Sequence, residues 1–330
     1  MFKKLKRSFK NILMGGGIAA LCLTQAFNPA MAAWPERPVT LIVPWSAGGG
    51  TDATGRMLGS LLEKELGQPF NVVNRDGGSG VVGHSAIANA KPDGYTIGVV
   101  TVEIGMMHWS GLTELTGTDY TPIALYNADA AGLLVRADSP WENAQEVIDS
   151  VKAESGVHKG SGTGQGGIWH LALAGMLNTA DISTDAVPWV PSQGSAPALQ
   201  ELVAEGVDIV TSSVVEATAL MDADKVKALA IMSDERVDAF ADVPTLKEAT
   251  GIDWEMAAWR GIAGPKDLPE EVTTTLTAAL EKVYQSDEFK EFMNGRGFGL
   301  VWKSGADFAD YMAASDESLG SVMQAVGLAQ

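Results

Sequence analysis

Residues 39–52 have the sequence VTLIVPWSAGGGTD, and this stretch decides the fold. Its first five residues predict a short buried strand, and the leucines and methionine at 57, 58, 61, 62 and 66 predict an amphipathic helix. Gly48 to Gly50 join the two and let the backbone approach a ligand closely, because no Cβ blocks it. The unpaired N–H groups of a first helical turn favour an anion. A glycine turn that binds nothing is the alternative.

The first 32 residues have the pattern of a signal peptide. Five basic residues lie within positions 3–10, an apolar stretch covers Ile12 to Phe27, and Ala30-Met31-Ala32 matches an A-x-A cleavage site. The apolar stretch is short for a membrane span. We therefore expect a periplasmic protein, exported through this signal peptide and cleaved near Ala32/Ala33. A retained N-terminal anchor is the alternative.

Charge and cysteine content exclude several classes of function. Without the predicted signal peptide the chain carries 18 Lys and Arg against 41 Asp and Glu, a net charge of −23. Such acidity disfavours nucleic acid and anionic membranes as partners. The single cysteine, Cys22, lies in the signal peptide, which argues against disulfides and thiol chemistry. The four histidines are too far apart to pair as metal ligands, so we expect neither a metal nor a cofactor.

The pattern of strand, glycine-rich loop and helix recurs after the opening stretch. Phe70 to Asn74 and Thr96 to Val102 are predicted strands, and residues 75–83 form a second glycine-rich loop that opens a helix. This alternation predicts an α/β fold with a parallel sheet. Ligands of such sheets bind beyond the carboxyl ends of the strands. Ser46 to Thr51, Ser79 and Thr101 all fall at those ends.

A second β/α block follows the first. It begins with a strand at Ile123 to Val135 and a helix capped by Ser139 that runs to about Ala153. The further predicted strands are Val187 to Val190, Val207 to Thr211, Val226 to Met232 and Trp254 to Gly264. The predicted C-terminal helices are Pro269 to Gln285, Asp287 to Arg296 and Ser304 to Gly327.

Two enzymatic interpretations have weak support. Residues 162–167 match G-x-G-x-x-G, but the preceding residues make a poor strand and no acid is placed to bind a ribose, which favours an anion loop or a tight turn. Ser161 and His170 could form a nucleophile and base, although no triad is legible. A structural His170 is the favoured alternative. Asp52 is expected to bond the backbone at the helix start.

Motifs along the whole mature chain resemble those of the tripartite tricarboxylate transporter receptors, the Bug-type solute-binding proteins. They comprise residues 34–44 with the loop 47–52, Asn74-Arg75 with its glycine loop, KPDGYT at 91–96, Gly162-Thr163-Gly164 with His170, Val190-Pro191 with 194–199, Val207-Asp208, DVPT at 242–245 and Trp259-Arg260-Gly261.

The resemblance implies a periplasmic binding protein of type II, whose two β/α lobes are joined by crossing strands and close on a small carboxylate. We expect residues 33–128 plus 256–330 to form lobe 1 and residues 129–255 to form lobe 2. Carried over by position, the ligand-binding residues of lobe 1 are Ser46, Ala47, Gly48, Gly49, Gly50, Thr51, Asp52, Gly78, Ser79, Gly80 and Thr101. Those of lobe 2 are Gly162, Thr163, Gly164, Ser192, Gln193, Gly194 and Ser195.

Two positions depart from the family pattern. Ser192-Gln193 replaces an aromatic residue and a lysine, which removes a ring and a cation and puts a distal carboxylate of the ligand in doubt. Glu205 replaces a glycine, and the sequence gives no reason for it.

The resemblance also implies a monomeric, non-enzymatic receptor whose partners are the large and small integral membrane permease subunits. The alternatives are a carboxylate sensor that serves a sensor kinase and a secreted hydrolase using Ser161 and His170.

Overall fold

The computed structural model describes residues 34–330. The predicted signal peptide and its cleavage site lie outside the described residues. Within residues 34–330, no helix combines the length and the apolarity that a bilayer crossing requires.

The opening stretch folds as its pattern predicts. Strand β1 (Val39–Val43) leads into helix α1 (Gly50–Leu66), followed by β2 (Phe70–Asn74), α2 (Val81–Ala88) and β3 (Thr96–Thr101). Strands β2 and β3 flank β1 in parallel. Helix α1 buries its leucine face on the sheet, and Gly67, with φ 70°, ends it in a left-handed turn. The carboxyl ends of β1 and β3 therefore meet at the same edge as the start of α1.

The next strand, β4 (Tyr120–Arg136), is long enough to serve two sheets. The elements that follow it are α3 (Ala144–Ala153), β5 (Gly160–Ser161), α4 (Ile168–Thr179), α5 (Ser195–Val203), β6 (Ile209–Ser213), α6 (Val214–Asp222), β7 (Val226–Ile231), α7 (Leu246–Thr250), β8 (Ala257–Pro265), α8 (Glu270–Gln285), α9 (Asp287–Arg296), β9 (Leu300–Ser304) and α10 (Gly305–Ala325).

Strand β4 changes partners along its length. Residues 120–130 pair antiparallel with β8 and also with β9, whereas residues 131–136 pair antiparallel with β6 and β7. We call β1, β2, β3, β8, β9 and the first part of β4 the first sheet, and β5, β6, β7 and the rest of β4 the second sheet. The fold is thus a two-lobed α/β fold joined by a crossing strand, as predicted. The lobe boundaries near residues 128 and 256 stay a prediction.

Some local predictions are wrong. Helix α3 begins at Ala144, and its cap is Asn143, whose side chain accepts a hydrogen bond from the Glu146 N–H at 3.0 Å. Ser139, the predicted cap, instead accepts from the N–H of Trp141 in a turn (3.2 Å), because Trp141 turns into the core before the helix starts. The predicted strand at 187–190 is a single bridge at Trp189. Strands β5 and β9 were not predicted.

Glu205 occupies a position that favours glycine. Its φ is 66°, the left-handed conformation that ends α5. Its carboxylate lies 3.0 Å from Arg136, and Asp138 approaches the same guanidinium at 3.0 Å. The glutamate accepts a strained backbone and gains an ion pair with the end of β4.

Candidate ligand site

The loop between β1 and α1 is held in place by its own helix. The carboxylate of Asp52 accepts hydrogen bonds from the Gly48 N–H (3.0 Å) and the Asn74 amide (2.8 Å). Burial alone would raise the pKa of Asp52, but these bonds and the Arg56 guanidinium outweigh it and lower the pKa. Asp52 therefore bonds the backbone at the helix start, as predicted.

The N-terminus of α1 receives a carboxylate from a distant part of the chain. Gly49 at the cap position offers no side-chain acceptor. The N–H of Gly50 donates instead to Oε1 of Glu216, at 2.6 Å. A Cβ on Gly50 would lie 2.8 Å from the Arg260 guanidinium and 2.9 Å from Glu216, so a larger residue there would require these side chains to shift.

Glu216 lies in the first turn of α6 and is held by hydroxyl groups of the second sheet and its helices. Ser195, Ser212 and Ser213 donate to its Oε2 at 2.8, 2.9 and 2.9 Å. Its side chain is only 5% exposed, and Arg260 lies 3.8 Å from Oε1. The carboxylate is therefore fully hydrogen-bonded, with one oxygen directed at α1.

A second glutamate meets the start of α4. Glu103 follows β3, accepts a hydrogen bond from the Thr101 hydroxyl at 2.5 Å, and accepts a longer one from the Ile168 N–H at 3.4 Å. Burial raises the pKa of Glu103, against the hydrogen bonds that lower it. The Trp45 indole N–H also donates to the Thr101 hydroxyl, at 3.2 Å, and joins the first loop to this group.

A buried arginine lies beside these two glutamates. The guanidinium of Arg260, on β8, pairs with Asp129 and donates to Asn127 (2.5 Å) and to the Thr51 hydroxyl (3.0 Å). Arg260 is 3% exposed and Asp129 is 6% exposed. A buried pair of this kind needs further hydrogen bonds to offset its desolvation, and Asn127 and Thr51 supply them.

These groups surround a small cavity, which we call the inner cavity. Its volume is about 30 Å³, enough for about two water molecules at about 10–15 Å³ each. The hydroxyls of Ser46 and Thr163 line it and have no hydrogen-bond partner among residues 34–330. The lining residues are Trp45, Ser46, Gly49, Gly50, Thr51, Thr101, Glu103, Thr163, Ile168, Trp169, Gly194, Ser195, Glu216, Ala258, Trp259 and Arg260.

A larger cavity lies on the other side of α1's first turn. This outer cavity has a volume of about 350 Å³ and lies between α1, α6 and the end of α9. Gly49, Gly50 and Glu216 line both cavities, so the hydrogen bond from Gly50 to Glu216 lies in the wall between them. Arg296 lines the outer cavity.

The second glycine-rich loop, residues 75–83, packs against a third glycine-rich loop, residues 162–167. Ser79 has φ 55°, and its hydroxyl donates to the carbonyl of Gln165 at 3.1 Å. A Cβ on Gly164 would lie 2.1 Å from that hydroxyl oxygen, so the close approach requires glycine. The loop between β1 and α1 makes a similar contact with the loop before α5, where the Ser46 N–H donates to the Gln193 carbonyl at 3.2 Å.

His84 ties the second loop to the site. Its Nδ1 lies 2.8 Å from the Gly80 carbonyl, and its Nε2 accepts from the Thr101 N–H at 3.1 Å. These two bonds fix the neutral tautomer with the proton on Nδ1. Complete burial lowers the pKa of His84 to about 4.

A family model described as tripartite tricarboxylate transporter family receptor matches residues 55–328 of this chain. The chain belongs to this family. It is 34% identical to a TctC solute-binding protein from Polaromonas, solved without ligand; the match covers 88% of this chain and 99% of that one, with a TM-score of 0.64.

Two further structures to which this chain is similar contain ligands. MatC from Rhodopseudomonas palustris with bound malate is 27% identical, with a TM-score of 0.81 over 88% of this chain and 99% of that one. Rpa4515 from the same organism, with adipate, is 25% identical, with a TM-score of 0.85 over 90% and 99%. Members of the family are periplasmic binding proteins that act as substrate-binding receptors and not as enzymes.

The receptor's structure brings part of the predicted site together. Of the predicted residues, Ser46, Gly49, Gly50, Thr51, Thr101, Thr163, Gly194 and Ser195 line the inner cavity. The others do not line it. Ala47, Gly48, Asp52, Gly162, Gly164, Ser192 and Gln193 are close in sequence to residues that do, whereas Gly78, Ser79 and Gly80 lie in the second glycine-rich loop, which contributes no lining residue.

The prediction missed the charged residues of the receptor's cavity. Glu103, Glu216 and Arg260 line it. A signal existed for two of them, because Glu103 comes directly after a predicted strand and Arg260 belongs to a family motif. Glu216 follows the end of β6 by three residues, inside an otherwise apolar helix start, and carries no motif.

The candidate hydrolase pair does not form in the described residues of the receptor. The Ser161 hydroxyl donates to the Val190 carbonyl at 2.7 Å. His170 accepts from the Gly166 N–H at 3.1 Å and stacks on Trp189, with 4.5 Å between ring centroids. Burial lowers the pKa of His170 to about 4. The ring accepts a hydrogen bond from a loop amide, which is a structural role. Within residues 34–330, no group of side chains suited to a metal ion occurs.

Proposed function

We propose that this chain is an extracytoplasmic solute-binding protein that captures a small organic carboxylate for a tripartite tricarboxylate-type secondary transporter. The ligand enters between the two lobes, with lobe 1 formed by 33–128 plus 256–330 and lobe 2 by 129–255. The closed form docks on the large and small permease subunits. Membership of the receptor family and the malate and adipate of two related structures support this proposal.

One observation carries the carboxylate assignment. The N–H of Gly50 already binds a carboxylate oxygen at 2.6 Å, although that oxygen belongs to Glu216. The same N–H lies at the positive end of a 17-residue helix, where anions are favoured. The geometry at this loop is therefore suited to a carboxylate group.

The unpartnered hydroxyls supply the remaining ligand contacts. Ser46 and Thr163 lie on opposite loops of the cavity, and neither hydroxyl has a partner among the described residues. A buried hydroxyl without a partner is costly, and a ligand oxygen would remove that cost. Trp45, Trp169 and Trp259 provide apolar walls for the carbon chain of the ligand.

A thermal-shift screen of the purified protein tests the proposal. The panel contains malate, adipate, citrate and benzoate, with the corresponding amides as uncharged controls. A carboxylate at about 100 times its Kd should stabilise the protein by about 2.7 kcal/mol. The Ser46→Ala variant should lose most of that stabilisation, because it removes one contact and leaves the loop backbone intact. Absence of any carboxylate-specific shift would contradict the proposed function.

A further inference from the structure

The two helix starts that face the inner cavity are occupied by glutamates from the opposite sheet. Helix α1 follows a strand of the first sheet and binds Glu216, which follows β6 of the second sheet. Helix α4 follows β5 of the second sheet and binds Glu103, which follows β3 of the first. Neither Gly49 nor Gly167, the two cap residues, makes a side-chain cap bond. The chain's own carboxylates therefore bind the N–H groups that would otherwise face the cleft.

Glu216 is the better placed of the two. Three serine hydroxyls hold its Oε2 from the second sheet's side, while its Oε1 binds Gly50 at 2.6 Å. Glu103 lies farther from its helix, at 3.4 Å. Both contacts are electrostatically favourable, because each carboxylate lies at the positive end of a helix dipole.

The inner cavity is too small for an organic acid while Glu216 remains in place. Its volume of about 30 Å³ holds about two water molecules. Malate has nine non-hydrogen atoms and adipate has ten, so each needs a volume several times larger than that of two water molecules. Glu216 also forms part of the wall between this cavity and the outer cavity of about 350 Å³. Movement of its side chain away from Gly50 would join the two volumes.

The Thr163 hydroxyl is a second, independent observation that points to a ligand in the inner cavity. Thr163 is 3% exposed, lines the inner cavity, and has no hydrogen-bond partner among residues 34–330. The internal carboxylates satisfy the helix N–H groups but not this hydroxyl. A ligand that replaced Glu216 would satisfy both.

We propose that Glu216 is a specificity-determining residue that occupies the ligand's carboxylate position at α1, and that a carboxylate ligand binds by displacing it. This inference rests on the proposed function. Two carboxylates at one N–H repel each other, so the ligand and Glu216 exclude one another. The affinity for a carboxylate is then set by competition with a group that is always present. An uncharged analogue cannot compete for the helix N-terminus with the same strength.

The first arm of the test needs no ligand. Amide hydrogen exchange at Gly50 is compared in the wild-type protein, Glu216→Ala, and Glu291→Ala, which changes an exposed glutamate on α9. Exchange at Gly50 should accelerate at least about tenfold in Glu216→Ala and stay unchanged in Glu291→Ala. Equal protection in all three proteins would overturn the occupancy of α1 by Glu216.

The second arm measures displacement by calorimetric titration with malate and adipate. Glu216→Gln keeps side-chain hydrogen-bonding capacity toward the serines but loses the charge, so its Kd for the bound acid should fall at least about tenfold. Glu291→Gln should bind like the wild type. An unchanged or weaker affinity of Glu216→Gln, with a wild type that binds, would overturn the inference and leave the proposed function standing. Failure of both acids to bind every variant would count against the proposed function itself and against displacement, while the exchange arm would still decide the occupancy.

Discussion

The backbone N–H of Gly50 donates to the carboxylate of Glu216 at 2.6 Å, across 166 residues of sequence. This bond joins the glycine loop after β1 to the helix after β6, and it lies in the wall between two cavities. It explains why a Cβ at Gly50 would disturb the Glu216 and Arg260 side chains and why α1 needs no side chain of its own at its cap. A bond between an anion and a helix start is also the interaction that we propose for the ligand.

Replacement of Thr163 by valine should separate ligand binding from stability. The variant removes a buried hydroxyl that has no partner among residues 34–330, so the free energy of unfolding of the unliganded protein should stay within about 1 kcal/mol of the wild-type value. Its affinity for the bound carboxylate should fall, because a ligand contact is lost. Chemical denaturation and calorimetric titration measure the two effects.

The matched control for that experiment is Thr211→Val. The Thr211 hydroxyl donates to the Trp169 carbonyl at 2.6 Å, so its removal should destabilise the protein by about 1–3 kcal/mol. A loss of stability in Thr163→Val as large as in Thr211→Val would show that the Thr163 hydroxyl has a partner in the unliganded protein.

An alanine at Gly164 should prevent the second and third glycine loops from meeting. The added Cβ would lie 2.1 Å from the Ser79 hydroxyl oxygen and 2.7 Å from its Cα, and the second contact cannot be relieved by a side-chain rotation. We expect at least about tenfold weaker ligand binding, about 1.4 kcal/mol, with the unliganded melting temperature little changed.

Gly117→Ala is the control for this substitution. A Cβ at Gly117 would make only an ordinary van der Waals contact, 3.6 Å from the Met312 Cβ, and Gly117 lines neither the inner nor the outer cavity, so this variant should bind like the wild type. Wild-type affinity in Gly164→Ala would mean that the ligand is held without contact between these loops.

His84 should make stability depend on pH. The pKa is about 4 in the folded protein and about 6.5 in the unfolded chain, so the unfolded state binds more protons between these values. The free energy of unfolding should therefore fall as the pH falls from 6.5 to 4, by up to about 3 kcal/mol from this group. Above pH 7 the contribution is constant.

A comparison with His84→Gln isolates the contribution of this histidine. Burial raises the pKa of Glu103, which acts in the opposite direction, and His170 acts in the same direction, but both groups remain in the variant. The wild type should lose about 3 kcal/mol more than His84→Gln between pH 7 and pH 4. Parallel pH profiles for the two proteins would contradict a buried neutral His84.

Replacing one member of the buried Arg260–Asp129 ion pair should lower the free energy of unfolding more than replacing both members. Asp129→Leu leaves a buried guanidinium with fewer partners, Arg260→Met leaves a buried carboxylate, and each should cost about 3–5 kcal/mol. The double variant Arg260→Met with Asp129→Leu should cost less than either single change, because neither member of the pair is then left as an unpaired buried charge. Denaturant unfolding of the four proteins gives the cycle.

The exposed pair of Lys64 and Glu288 provides the reference for that cycle. Their side chains are 59% and 54% exposed at a distance of 2.6 Å, so Lys64→Met should change the free energy of unfolding by less than about 1 kcal/mol. A similar cost for both pairs would show that burial does not govern the strength of the Arg260 pair.

The backbone of this receptor was largely predictable and its charged site was not. Apolar runs such as Val39–Val43 and the leucine spacing of α1 reflect burial along a local period, which a sequence displays directly. The predicted strand ends place Ser46 and Thr101 at one edge of the sheet, and both line the inner cavity, whereas Thr163 was expected only from the family resemblance.

The pairing of carboxylates with distant helix starts leaves no local signal. Glu216 and Gly50 meet only because β4 carries the chain from one sheet to the other, and nothing in residues 214–222 records which helix lies opposite. The prediction of the α3 cap failed for a local reason. Both Ser139 and Asn143 are residue types that cap helices well, and the burial of Trp141 selects Asn143.

A crystal structure of the protein with a carboxylate that it binds tests the central claim most directly. We expect a ligand carboxylate oxygen within hydrogen-bond distance of the Gly50 N–H, with the Glu216 side chain moved out of that position. A ligand bound elsewhere, or bound while Glu216 still accepts the Gly50 hydrogen bond, would contradict it.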